Sequence, residues 1–334
     1  MGAPREDICN FTMNDYKLVL VIGNGFDLDL GLPTSYHDFL QSDDFTTCLN
    51  PIKKNHNCIF QDSDNLFQYL QKKYQCQNWI DIEMELRNMA TQIYRGVDNR
   101  GQVIQTLPTA SEGKTKSFEL LCKQLCLYLK KLDYKFINTR STALKLFSII
   151  NDYHYISEII TFNYTDLHKL ESELETKIEV KIDHVHGSIE NNDIIIGFED
   201  EVDIDKSYSF MIKSFNPAFK SHNVRQKLLE ANEIIFFGHS LGETDYHYFE
   251  DLFKYQSQPE YCKESKTIRI FTYDEKSRID ILFQLRAMNN KRTDMLFDLN
   301  DFEIYRTKND SLKINEYLKK LPERLRSKWL ENVL

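Results

Sequence analysis

Residues 21–36 read VIGNGFDLDLGLPTSY. They come after the apolar run KLVL, so a buried strand over residues 16–23, YKLVLVIG, ends in the triplet Gly23-Asn24-Gly25. A short apolar run stopped by glycine marks a strand covered on both faces. The role of that triplet decides the fold. Asn-Gly between apolar residues signals a two-residue hairpin. The alternative is a glycine loop through which the backbone N–H groups of Gly23, Asn24 and Gly25 approach a phosphate. On that reading Gly25→Val blocks nucleotide binding and spares the fold. The loop is not the dehydrogenase fingerprint, which needs a third glycine where Leu28 stands, and it lacks the Gly-Lys-Ser/Thr of a Walker loop. Pro33, Thr34 and Ser35 then precede YHDFLQ, a helix start.

Further along, strand signals recur at SEIITFNY (157–164), IEVKIDHVHG (178–187), DIIIGF (193–198), NEIIFFGHS (232–240) and KTIRIFTYD (266–274). Helical stretches at 221–231, 245–255 and 275–288 lie between several of them. Strands alternating with helices predict an α/β fold with a mostly parallel sheet. Residues 62–150 instead carry helical periodicity with no strong strand, and they read as a helical insertion with an unstructured link near 105–116. The expected organisation is a flexible tail (1–15), a Rossmann-like core (16–61 and 151–310), the insertion (62–150) and a C-terminal helix (311–334).

The chain has 334 residues, 41% of them apolar, and a formal charge of −9. That size supplies ample core. The acidic balance argues against general nucleic-acid binding. No apolar run approaches the ~20 residues of a membrane span, and the first residues lack a signal-peptide core. Met1-Gly2 opens like a myristoylation site, but Glu6 stands where Ser or Thr is needed. Seven scattered cysteines read as reduced thiols, and the expected location is the cytoplasm.

Ligands of parallel sheets bind beyond the carboxyl ends of the strands, so the residues ending each strand matter most. Gly238-His239-Ser240-Leu241-Gly242 matches the G-x-S-x-G elbow of serine hydrolases. The triad order fails, because the only later histidine is His247, seven residues on. Asn163, alone, reads as a polar strand end. His184 and His186 share a strand face, but no third residue has metal-ligand spacing.

Taken in order, the motifs are G-x-G with Gly31-Leu32-Pro33, then Thr161-x-Asn163, His186-Gly187 and Gly238-x-Ser240-Leu241. This series resembles the sirtuin fold. That likeness implies that Gly23, Asn24, Gly25 and Pro33 bind the phosphates of NAD, and that Thr161 and Asn163 hold a ribose; Asp27 counts among the cofactor-binding residues, but an acid beside the diphosphate is repulsive unless it turns away to cap a helix or take a ribose hydroxyl. It places His186 in catalysis and Gly238, Ser240 and Leu241 on the adenosine side. Within that superfamily the chain resembles the bacterial abortive-infection AbiH family, through IGNGFDLDLGLPTSYHDF, WIDIE (79–83), TFNYT and GHSLGETD, from about residue 16 to 305. Residues 188–237 hold no cysteine, so the zinc module of sirtuin deacetylases is absent and no zinc is expected. Asp27 replaces the small hydroxyl residue usual in that glycine loop, and Thr165 stands where related NAD-consuming domains carry aspartate.

In NWIDIEMEL, Trp79, Ile82 and Leu86 share an apolar helix face, while Asp81, Glu83 and Glu85 read as a solvated acidic surface. The AbiH resemblance turns Glu83 toward the cleft. It also implies an effector of phage defence that hydrolyses NAD, with Asn163 orienting ribose or water, His186 as proton acceptor and Ser240 as a binding residue. Two alternatives stand beside this. One is a metal-dependent nuclease or nucleotide hydrolase using Asp27, Glu83 and a histidine. The other is a non-catalytic nucleotide sensor that oligomerises. The expected partners are a small nucleotide, a second copy of the chain and a phage-derived or operon-encoded activator.

Overall fold

Every residue of Leu18–Ile22 is apolar, and in the computed structural model every one is buried. The structure describes residues 16–50, 64–77, 81–97 and 103–333. The expected tail (1–15) and Trp79 lie outside them. Strand β1 (Leu18–Ile22) is succeeded by a hairpin of β2 (Tyr94–Val97) and β3 (Val103–Thr106), then by β4 (Ser157–Thr161), β5 (Lys181–His184), β6 (Glu233–Phe237), β7 (Thr267–Thr272) and β8 (Asp301–Arg306).

Outside the hairpin the strands form one sheet in the order β5-β4-β1-β6-β7-β8. Every pairing in it is parallel. Numbered within the sheet, that is the order 3-2-1-4-5-6 of doubly wound dinucleotide-binding folds. The order reverses between β1 and β6, where Ile22 aligns with Phe237. A crevice opens outside the strand ends at such a point. The hairpin reading of Asn24-Gly25 therefore gives way: β1 runs directly into the helix Asn24–Asp29 and has two parallel neighbours.

Period-two alternation divides β1 between two cores. Leu18, Leu20 and Ile22 pack with Phe147 and Ile150 of the helix Thr142–Asp152 and with Ile314, Leu318 and Leu321 of the helix Ser311–Val333. Val19 and Val21 pack with Leu228, Phe249, Phe253 and Leu285 on the other face. A third core joins the helices Tyr36–Gln41, Leu66–Gln77, Ile82–Thr91 and Glu112–Lys130 to residues 189–212.

Three details differ from the sequence reading. The apolar run 193–198 is not a strand of the sheet. Among the described residues its one bridge is Phe198 to Ile212, and Ile196 and Phe198 are apolar because they fill the third core. The stretch 62–150 is not purely helical, because Tyr94–Val97 pairs antiparallel with Val103–Thr106. The link at 105–116 is largely ordered, since β3 runs to Thr106 and Ser111 caps the helix Glu112–Lys130 by accepting the Lys114 N–H.

The glycine loop is a backbone crossing. The Gly23 and Gly25 N–H groups donate to the Phe237 and Gly238 carbonyls, at 3.0 and 2.9 Å. A Cβ on Gly25 would stand 2.6 Å from Gly238 Cα, and one on Gly23 2.5 Å from His239 Cα. The expectation that Gly25→Val spares the fold is thus reversed. Gly25→Ala should cost about 3 kcal/mol, the upper range for overpacking against a rigid neighbour. A melting temperature within about 1 °C of that of the unsubstituted protein contradicts this.

Candidate functional site

A cavity of about 370 Å³ lies between the strand ends and the helical layer. Gly23, Asn24, Asp27, Asn163, His186, Gly238 and Ser240 all line it. Gly25, Pro33, Thr161 and Leu241 do not. Gly25 is spent on the crossing, and the Pro33 carbonyl accepts from the Tyr128 hydroxyl at 2.6 Å. Thr161 is buried, with Oγ1 accepting the Asn163 N–H at 3.1 Å. Leu241 is buried at a left-handed φ of 52°.

Asn163 donates from Nδ2 to the Gly23 carbonyl at 3.0 Å and so ties the end of β4 to the glycine loop. Two of the three amides expected to hold a diphosphate are already engaged, which removes the cradle reading for Gly23 and Gly25. Asp27, 1% exposed, points into the protein from the first turn of its helix. Oδ2 accepts from the Thr165 hydroxyl at 2.9 Å, and Oδ1 has no hydrogen-bond partner among the described residues. Burial pushes this carboxyl up to about 7, against the opposing pull of hydrogen bonds from Thr165 and Asn163.

The chemical centre is invisible in the motifs. Lys213 is 0% exposed. Its Nζ lies 3.3 Å from Glu83 Oε2, 3.3 Å from Glu199 Oε1 and 3.6 Å from Asp245 Oδ1. It also lies 3.5 Å from His186 Nε2, which accepts, so His186 is neutral. Burial opposes the ammonium, but the three carboxylates raise it well above its ordinary value. Glu83 reaches this centre because Asp81 caps the helix Ile82–Thr91 by accepting the Met84 N–H at 3.1 Å, turning the next acid inward. The solvated-surface reading of Glu83 and Glu85 is corrected: both are buried. Glu83 Oε1 accepts the Gly197 N–H at 3.2 Å.

Burial lifts both Glu83 and Glu199 to about 7, against Lys213. Burial also acts to raise Asp245, but Lys213 and the neighbouring histidines outweigh it and hold this carboxyl below its usual range. The imidazoles go the other way. Burial first, then Lys213, brings His186 down to about 3, and burial brings His239 to about 4. Leu241 N–H donates to His239 Nδ1 at 2.9 Å, which leaves the proton on Nε2, 3.6 Å from Asp245 Oδ2. The Phe162 ring stands edge-on between the two imidazoles, 5.3 Å from His186 and 4.5 Å from His239. His184 lies outside the cavity lining and donates from Nδ1 to the Asn163 carbonyl at 3.2 Å.

These features define an open α/β protein whose acid-lined cavity sits at the reversal point of a Rossmann-order sheet. The family model described as "Bacteriophage abortive infection AbiH" matches residues 19–263. The chain belongs to that family, and its role is in phage abortive infection. A comparison with curated proteins found no matching relative. No helix among the described residues is long and apolar enough to cross a membrane.

Proposed function

We propose that this member of the family acts by hydrolysing NAD at the nicotinamide–ribose bond, on a sirtuin-like variant of the fold. The observation that carries this reading is the buried acid centre. Glu83 and Asp245 line the cavity, together with Asp27 and Asp81, and among the described residues no lysine or arginine lines it. Breaking a glycosidic bond builds positive charge on the sugar, and carboxylates held out of water stabilise that charge strongly. The departing ring of NAD is itself a pyridinium cation and suits the same surroundings.

In this mechanism the C1′–N bond breaks with its electron pair going to the ring nitrogen, and nicotinamide leaves neutral. Asp245, ionised beside Lys213, faces the cationic sugar. Water bonds to C1′ and hands its proton to Glu83, whose value near 7 matches the work of a general base. Asn163 orients the ribose. His186 is too weak a base for the role expected of it and serves as a neutral wall beside Lys213.

A second reading, metal-dependent nucleotide hydrolysis, rests on His186, Glu199 and Asp245, whose ligand atoms lie within 4.8 Å of one another. Lys213 already supplies a cation to all three, so a divalent ion there requires its withdrawal. The deciding measurement is free nicotinamide, by chromatography, after incubation of NAD with the purified protein and with extracts of phage-infected cells expressing it. Nicotinamide release that survives a chelator is expected. NAD that stays intact in infected extracts overturns the reading, and chelator-sensitive hydrolysis favours the second.

A further inference from the structure

The inward face of the helix Glu275–Met288 is fully used: Ile281, Leu285 and Met288 are buried with Val19, Val21, Ile268 and Ile270 of the sheet. A surface helix with such a core stripe normally carries polar residues on its opposite face. This one does not. Phe283 is 66% exposed and Ile279 39%, and Ala287 is exposed as well. Spaced by four residues, the three form one apolar ridge along the outside of the helix. One acid and one base flank the ridge, Asp280 and Arg286. Both are exposed, and neither side chain has a partner among the described residues. Polar groups further round the helix are committed: Arg278 donates to Glu275, and Gln284 accepts from the Tyr246 hydroxyl.

We propose that this ridge is the contact between two copies of the chain, related by a twofold axis through Phe283. The symmetry of the pattern carries the argument. In an antiparallel helix pair centred on Phe283, residues equally far before and after it meet. Ile279 of one copy then lies against Ala287 of the other, a large side chain against a small one. Asp280 lies against Arg286, and the axis makes that ion pair twice. Lys276 comes to stand over the last turn of the other helix, where a cation is favoured. A parallel pairing would instead set Asp280 against Asp280 and Arg286 against Arg286. One helix pair buries less than the roughly 1,000 Å² of a stable dimer, so the association is weak and follows concentration. The ion pairs lie at the exposed rim and set the register more than the affinity. The contact is independent of the chemistry in the cavity.

Sedimentation velocity on the full chain, from about 1 to 500 µM, tests this. Monomer should give way to dimer within that range, as expected for so small a contact. Phe283→Glu sets two acids at the axis and should keep the chain monomeric throughout, with melting unchanged because the side chain is exposed. Asp280→Arg and Arg286→Asp each create two like-charge contacts and should each weaken dimerisation by about tenfold or more. Combining them lets the exchanged charges meet again, and the double variant should return to within about threefold of the unsubstituted chain. A chain still monomeric at the highest concentration overturns the proposal. So does a dimer unaffected by Phe283→Glu, which must be held by another face. A folded double variant as weak as either single one overturns the antiparallel register, and the proposal with it.

Discussion

Replacing Lys213 with methionine is expected to destabilise the protein by about 3–5 kcal/mol at pH 8, the range for removing one partner of a buried ion group. The shape of the side chain is nearly kept, so the loss is electrostatic. Three carboxylates, Glu83, Glu199 and Asp245, would then face one another with no cation among them. The pH dependence identifies the cause. Glu83 and Glu199 already titrate near 7, above their unfolded value of 4.5. A carboxyl raised on folding holds its proton longer in the native state. Its stabilising contribution is therefore full below the unfolded value and is lost as pH rises through the folded value. Without Lys213 those folded values move higher still, so the deficit should be greatest at pH 8 and should shrink at about pH 5.5. Urea denaturation at both pH values reads this directly. A loss below about 1 kcal/mol at pH 8, or one that is the same at both, means that the ammonium is not what holds the acids together.

Glu83→Gln should lower nicotinamide release by about 10²–10⁴-fold, the usual scale for a general base. The amide can still accept the Gly197 N–H that now goes to Oε1. At low pH the native glutamate is itself neutral, so the fold should tolerate the change. The informative comparison is His186→Asn, which removes an imidazole brought down to about 3 and should cost less than about tenfold, because a base that weak contributes little near neutrality. Nicotinamide release by both variants, measured in infected-cell extracts at saturating NAD, separates the two assignments. A larger loss in His186→Asn restores the histidine as proton acceptor.

The sheet is legible in the sequence because its strands carry their burial in their composition. Leu18–Ile22 and Glu233–Phe237 are buried at every position, and the runs around them read as strands on sight. DIIIGF carries the same composition for a different reason, burial in a helical layer, and periodicity cannot distinguish the two. β8, DFEIYR, escapes because it is an edge strand with only β7 beside it, and its charged positions dilute the pattern. Asn163, His186 and Asp27 are within reach of the sequence, since they lie at or near strand ends marked by motifs. Lys213 is not. It sits in YSFMIKSF, where nothing sets it apart from a solvated lysine, and only the fold brings Glu83, Glu199 and Asp245 around it. The glycine triplet has the look of a device for a ligand, and it is a device for letting two backbones cross.

The sheet order has a consequence for how the chain is made. β1 leaves the ribosome before every other strand of this sheet, and it is one of the two central strands of the finished sheet. Its neighbours, β4 and β6, begin only at Ser157 and Glu233. The long excursion between them adds little to the final free energy, since each doubling of a loop costs only about 0.6 kcal/mol. It adds a great deal to the waiting time. During synthesis, at roughly 5–20 residues per second, the apolar run Leu18–Ile22 remains without a partner strand for many seconds. The helices after β1 can fold locally in that interval, whereas β6, β7 and β8 are close in sequence and can assemble as soon as they emerge. Strand β1 then joins a sheet whose two sides were made after it, so nascent chains arrested before Ser157 should be the ones that chaperones hold.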